Sequence, residues 1–145
     1  MLSILIPIFN FDVTNLVQEL NRQAVEANVE YEIILLDDAS TDSYRDINRN
    51  LSQHNHVRYI EETNNIGRSK IRNKLAALAS HPYLLFMDCD SQILNHDYIA
   101  TYLNCCEEEV VVYGGRVYSQ QRPSENELLL RWKHGKSREE FTADE

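Results

Sequence analysis

Apolar residues along this chain fall into short continuous runs, and the stretches between them carry apolar positions at helical spacing. LSILIPI (2–8) is rich in β-branched residues and stops at the turn-prone FNFD, which predicts a buried strand. Val13, Leu16, Val17, Leu20 and Ala24 predict an amphipathic helix over about 13–27. YEIILLDD (31–38) repeats the strand pattern and ends in two acids. ASTD supplies candidate N-caps for a short helix with Tyr44, Ile47 and Leu51 on one stripe. HVRYIEE (56–62) predicts a third strand, and Gly67 opens a helix whose Ile71, Leu75 and Leu78 face the core. YLLFMD (83–88) predicts the fourth strand; Tyr98, Ile99, Tyr102, Leu103 and Cys106 mark the helix after it. VVVYGGRVY (110–118) predicts a fifth strand, its glycine pair suggesting a bulge or close backbone approach.

Strands that are apolar throughout and alternate with helices predict an α/β fold, with a mainly parallel sheet between two helical layers. After residue 120 the character changes to Pro123, a short amphipathic piece around Leu128–Leu130 and Trp132, then mixed charge. The expected organisation is a ligand-binding body over 1–120 and a helical, charged tail over 121–145 that begins a further part.

A chain of 145 residues buries roughly 68–70% of its unfolded surface, enough for a core without staples. Its three cysteines form no CxxC or Cys/His spacing, so reduced thiols and a cytoplasmic setting are expected. A net charge of −9 argues against a nucleic-acid surface. No apolar run approaches the ~18 residues of a membrane span. Peripheral association with the inner face of a membrane is compatible with all of this.

The chemistry collects at strand ends. LLFMDCDSQI (84–93) places Asp88 and Asp90, with Cys89 between them, at the tip of a core strand. Residues two apart on an extended chain point the same way, so both carboxylates are expected to share one volume. Hard carboxylate oxygens suit Mg²⁺ or Mn²⁺, whose remaining ligands come from water and substrate phosphate. The plainer alternative is a turn or an N-cap. IGRSKIRNK (66–74) packs Arg68, Lys70, Arg72 and Lys74 into seven positions, a helix start suited to an anion. Its plainer alternative is a solvated face paired with Glu61 and Glu62. In LLDDAS (35–40) Asp38 is a candidate acceptor for a base or a sugar hydroxyl, while Asp37 or Ser40 caps the next helix. Ligands of open parallel sheets lie beyond the carboxyl ends of the strands, where these groups fall. Together they suit a nucleoside diphosphate bridged by a divalent ion.

ILIPIFNF, EIILLDDASTD, NNIGRSKIRN and LLFMDCDSQI, in this order and spacing, resemble the N-terminal half of family-2 glycosyltransferases of the Rossmann-like GT-A fold, over about residues 2–118. The resemblance implies metal-dependent, inverting transfer of a sugar from a nucleotide donor, usually UDP-linked, to a glycan, lipid-linked or small-molecule acceptor. It implies that Pro7, Ile8 and Phe9 line the base pocket and that Asp38 contacts uracil or ribose. Arg68 would approach the nucleotide, with Arg72 as its rival. Asp88 and Cys89 would lie against the nucleotide sugar, and Asp88 with Asp90 would hold Mn²⁺ or Mg²⁺.

Such enzymes continue for another hundred or so residues, which supply an acceptor pocket and a general base. None of Asp97, Glu107–Glu109, Glu125, Glu127, Glu139, Glu140, Asp144 or Glu145 has the context of that base. A donor-binding half is therefore expected, one that exposes apolar surface and self-associates. Two rivals are a non-catalytic nucleotide-sugar-binding module and a haloacid-dehalogenase-type phosphatase. The second also places DxD after an apolar strand, but normally at the start of its domain.

Overall fold

Four strands, β1 (Leu2–Ile8), β2 (Tyr31–Asp37), β3 (Val57–Glu61) and β4 (Tyr83–Phe86), form one all-parallel sheet in the order β3-β2-β1-β4. The coordinates are a computed structural model that describes residues 1–107 and 110–140. Helices α1 (Thr14–Glu26), α2 (Asp42–Arg49), α3 (Arg68–Leu78) and α4 (Tyr98–Asn104) alternate with the strands, and α5 (Asn126–Arg138) follows. The described chain divides into two compact units, the first ending at Cys106.

The continuous apolar runs are explained by burial on both faces of the sheet. Leu2, Ile4, Ile6 and Ile8 of β1 join Ile33, Leu35, Val57 and Leu85 in a cluster with Val17 and Leu20 of α1 and Ile99 of α4. Leu5, Ile34 and Leu36 point the other way and meet Ile71 and Leu75 of α3. Each such side chain, fully buried, stabilises the fold by roughly 1.5–3 kcal/mol before entropy is counted. Ser3 and Gln23, polar residues inside the core, are satisfied. Ser3 Oγ donates to Glu32 (2.7 Å) and accepts the His81 N–H (3.1 Å). On α1, Gln23 donates to the Asn95 carbonyl (2.8 Å) and accepts the Ile99 N–H (3.1 Å), tying α1 to the start of α4.

Three expectations change. In the short helix α2, Ile47 is exposed and its neighbour Asn48 is fully buried, because Asn48 is spent on hydrogen bonds to the loop after β1. β4 stops at Phe86, two residues before Asp88. Residues 110–118 are not a fifth strand: only Arg116 makes an isolated bridge, and Val110, Val111 and Tyr113 are exposed. A strand needs a neighbour to take its backbone groups, and among the described residues of the second unit no strand runs beside this segment.

In the second unit, Tyr118 lies so close on α5 that a Cβ at Gly135 would fall 2.2 Å from its ring. Trp132 Nε1 donates to the Ser119 carbonyl (2.7 Å). Among the described residues no helix is long and apolar enough to cross a membrane.

Candidate functional site

In this sheet the chain first runs outward from β1 to β2 and β3, then returns to place β4 on the other side of β1. The carboxyl ends of β1 and β4 therefore flank the point where the strand order reverses, the usual ligand crevice of open α/β sheets. Phe9 and Asn10 follow β1 there, and Met87 to Asp90 follow β4.

The loop after β1 is held from outside. Asn10 takes a positive φ of 50°, its N–H donates to Ser40 Oγ (2.8 Å), and its Oδ1 accepts the Thr41 N–H (2.8 Å). Asn48 reaches up from α2, donating to the Phe11 carbonyl (2.8 Å) and accepting the Val13 N–H (3.2 Å). On this fixed loop Phe9 is 51% and Phe11 41% exposed. Pro7 is half-buried. Ile8 is only 1% exposed, within the core cluster, so it can border a pocket only through its backbone. Ser40 and Asn48 were not assigned from sequence as parts of this scaffold.

The acids ending β2 are turned inward. Asp37 is fully buried and accepts the Ser40 N–H (2.7 Å) and the Tyr59 hydroxyl (3.0 Å), with Arg45 Nε 3.7 Å away. Burial, then the Asp37 charge, pushes the Tyr59 phenol well above its ordinary range. Arg45 also donates to the Glu62 carbonyl (3.1 Å), while its buried Nε has no hydrogen-bond partner among the described residues. Asp38, 5% exposed, accepts the N–H groups of Ile66 (2.6 Å) and Gly67 (3.0 Å). Both carboxylates accept N–H groups of the protein's own backbone.

Asp88 and Asp90 do not lie on an extended strand. The Ser91 N–H donates to the Asp88 carbonyl (3.1 Å), closing a turn through Cys89 and Asp90, so the alternation expected to aim both carboxylates together does not apply. Asp88 points to α3, where Arg68 Nη2 lies 3.2 Å from one oxygen and Arg72 Nη2 contacts the other. Arg72 also donates to the Arg68 carbonyl (3.4 Å). Arg68 and its rival Arg72 thus meet the same acid. Asp90 is exposed, and no ion pair or hydrogen bond reaches its carboxylate among the described residues. Cys89 packs against the core, and burial pushes its thiol above the ordinary value. Lys74 pairs with Glu62, as the plainer reading of the basic helix expects; Lys70 is exposed.

Arginines, then, neutralise Asp88. No group of three metal-ligating side chains occurs among the described residues. The donor set fits a divalent cation only as a shared one. Asp90 offers hard oxygens, Asp88's are held by guanidinium groups, and water and substrate phosphate would complete the shell.

Of the acids beyond the motif, Asp97 is exposed at the start of α4. Glu139, in the second unit, is held by Tyr118, Arg116 (3.3 Å) and Arg131 (2.8 Å). Glu108, Glu109, Asp144 and Glu145 lie outside the described residues.

Comparison with known proteins gives consistent matches. The family described as glycosyl transferase family 2 matches residues 3–144. The poly(ribitol-phosphate) beta-glucosyltransferase of Bacillus spizizenii is 36% identical over 96 residues, covering 63% of this chain and 15% of that protein. Among solved structures, S. aureus TarS 1–349 in complex with UDP-GlcNAc superposes with a TM-score of 0.63 at 24% identity, over 86% of this chain and 38% of that one. Mannosyltransferase PcManGT from Pyrobaculum calidifontis, with GDP-Man and Mn²⁺, gives 0.63 at 19% identity, over 81% and 35%. These structural likenesses show the fold, and the chain spans well under half the length of each of these relatives.

Proposed function

The chain belongs to glycosyl transferase family 2, and from that premise we propose that it carries the donor-binding part of an enzyme moving a sugar from a nucleoside diphosphate to an acceptor hydroxyl. The observation that carries this reading is the meeting of Arg68 and Arg72 with Asp88 at the carboxyl end of β4, beside the end of β1. Two guanidinium groups on one half-buried carboxylate form a cationic cluster that a diphosphate can enter, because Arg forks match phosphate oxygens. Phe9, on its pinned loop, presents a ring to the same crevice for a base, with Pro7 beside it.

In the proposed reaction the bond from the sugar's anomeric carbon to the diphosphate oxygen breaks. A bond to the acceptor oxygen forms on the opposite face, with inversion. The acceptor's proton passes to a base that we assign to no residue here. Arg68 and Arg72 hold the diphosphate and spread its growing charge. Asp90, aided by Asp88 once its arginines have turned to phosphate, would hold a divalent ion. When bound, that ion supplies Lewis-acid stabilisation of the leaving diphosphate.

UDP is the proposed nucleotide, supported by the UDP-GlcNAc complex of TarS; GDP, bound by PcManGT, is the comparison. A polyol-phosphate polymer is the first acceptor to try, on the strength of the 36% identical glucosyltransferase. Calorimetric titration with UDP and GDP, with and without Mn²⁺, tests the reading. Binding of UDP that strengthens with Mn²⁺ is expected, and absence of binding by either nucleotide overturns it.

A further inference from the structure

Among the described residues the Asp90 carboxylate has no hydrogen bond or ion pair, so its place is set through its backbone alone. Upstream, that backbone is held where the Met87 N–H donates to the Leu5 carbonyl (3.1 Å) and the Ser91 N–H closes its turn on Asp88 (3.1 Å). Downstream, among the described residues, the stretch 92–96 takes a single hydrogen bond, from Gln23 Nε2 to the Asn95 carbonyl (2.8 Å). Through Oε1, Gln23 also accepts the Ile99 N–H (3.1 Å) at the start of α4, a helix with no side-chain cap of its own. Its nitrogen donates a second time, to Glu19 Oε1 (2.8 Å). Both neighbours of the nitrogen are acceptors and the neighbour of the oxygen is a donor, so only one orientation of the amide satisfies all three bonds. Gln23 itself is 2% exposed.

We infer that Gln23 is a positioning residue for Asp90: from α1 it anchors the segment leading away from Asp90, and so governs how far a divalent ion strengthens nucleotide binding. Three observations support this. Releasing the segment would strand the buried Ile99 N–H and the Gln23 amide without partners, which is costly. Ile93, between Asp90 and Asn95, packs against the core cluster while Gln92 and Leu94 are exposed, so the segment is laid along the protein between its two anchors. And α1 is the helix that the loop after β1 enters, with Asn48 holding the Val13 N–H directly before Thr14. The Phe9 loop and the Asp90 segment are thus fixed to one helix, and a ligand that needs both meets parts already in place, which lowers the ordering cost of binding. That Asp90 holds a divalent ion rests on the proposed function; the anchor itself does not.

Amide hydrogen exchange and metal-dependent binding together test this. Gln23→Met keeps the length of the buried side chain and loses its hydrogen bonds. The Ile99 and Ser91 amides are expected to exchange about tenfold faster or more. UDP affinity without metal is expected to stay within about twofold, while the gain on adding Mn²⁺ falls by about fivefold or more. Val17→Ala is the control, since it removes buried methyl groups from the same helix and leaves the Gln23 bonds in place. It is expected to lower the melting temperature yet keep the Mn²⁺ gain within about twofold of the wild type. Unchanged exchange at Ser91, an unchanged Mn²⁺ gain, or an equal loss of that gain in both variants overturns the inference. The wild type alone decides the matter if Gln23→Met does not fold. Coupling is reciprocal, so adding Mn²⁺ to the UDP complex should protect the Ile99 amide about threefold or more beyond UDP alone, and no added protection overturns the inference. If Mn²⁺ brings no gain in the wild type, the proposed metal role fails, and the Ser91 exchange of Gln23→Met still decides whether Gln23 holds the Asp90 segment.

Discussion

Asp37 and Asp38 end β2; Asp88 and Asp90 follow β4. In sequence the two pairs look alike, acids at the tip of an apolar run, yet their surroundings are opposite. The β2 pair is 0% and 5% exposed, and its four oxygens accept three backbone amides and one phenol. The β4 pair stays partly in solvent, one acid held by arginines and the other exposed. Position in the sheet accounts for the difference. β2 has a neighbour on each side, so loops from both β1 and β3 close over its end; among the described residues β4 pairs with β1 alone. The acids after the doubly flanked β2 are hydrogen-bonded within the scaffold, while those after β4 keep more of their surface in solvent.

The largest effect expected from breaking this contrast comes at Asp37. Asp37→Ala leaves the Tyr59 hydroxyl and the Ser40 N–H without their acceptor and Arg45 without its counter-charge, and a loss of about 3–5 kcal/mol is expected by urea unfolding, the usual result of removing one partner of a buried charge pair. A loss near that of a surface substitution would show that the β2 acids are not scaffold. Next is Gly67→Ala, which forces a side chain onto φ 84°; about 1–3 kcal/mol is expected, in the same assay. Asp90→Asn should do the reverse of Asp37→Ala. Stability should stay within ~0.5 kcal/mol, while the gain in UDP affinity on adding Mn²⁺ falls by about tenfold or more. The smallest effect concerns an arginine–carboxylate pair away from the crevice. Arg49 donates to both oxygens of Glu61 (2.7 and 2.9 Å), and this hydrogen bonding is the first cause holding the Glu61 carboxyl below its ordinary value of 4.5. A depressed folded-state value means that the contribution is full above about pH 4.5 and fades as pH falls through the lowered value. Arg49→Gln should therefore shrink the loss of melting temperature on acidification below that pH, and only slightly, because the pair is half in solvent.

The sheet was legible because burial on both faces leaves a plain mark, the unbroken apolar run, and the ends of β1, β2 and β3 follow from it to within a residue. The convergence of Arg68 and Arg72 with Asp88 was legible only as charge clustering; that both arginines would meet the same acid was not. Asp38 shows why. Its partners are backbone N–H groups 28 and 29 residues further on, and backbone amides carry no letter in a sequence. Asn48 was hidden for a related reason: a buried asparagine in a short polar helix reads as surface until the loop it serves is placed over it. The proposed fifth strand at 110–118 had the composition of a strand, but composition cannot supply a neighbour to pair with.

The register of the central strand has a consequence for synthesis. Leu2 pairs with both Tyr31 and Tyr83, so β1 acquires its second partner about eighty residues after it has itself been synthesised. At about 5–20 residues per second that is an interval of roughly 4–16 s in which an apolar edge is bare to whatever nascent chain or chaperone is near.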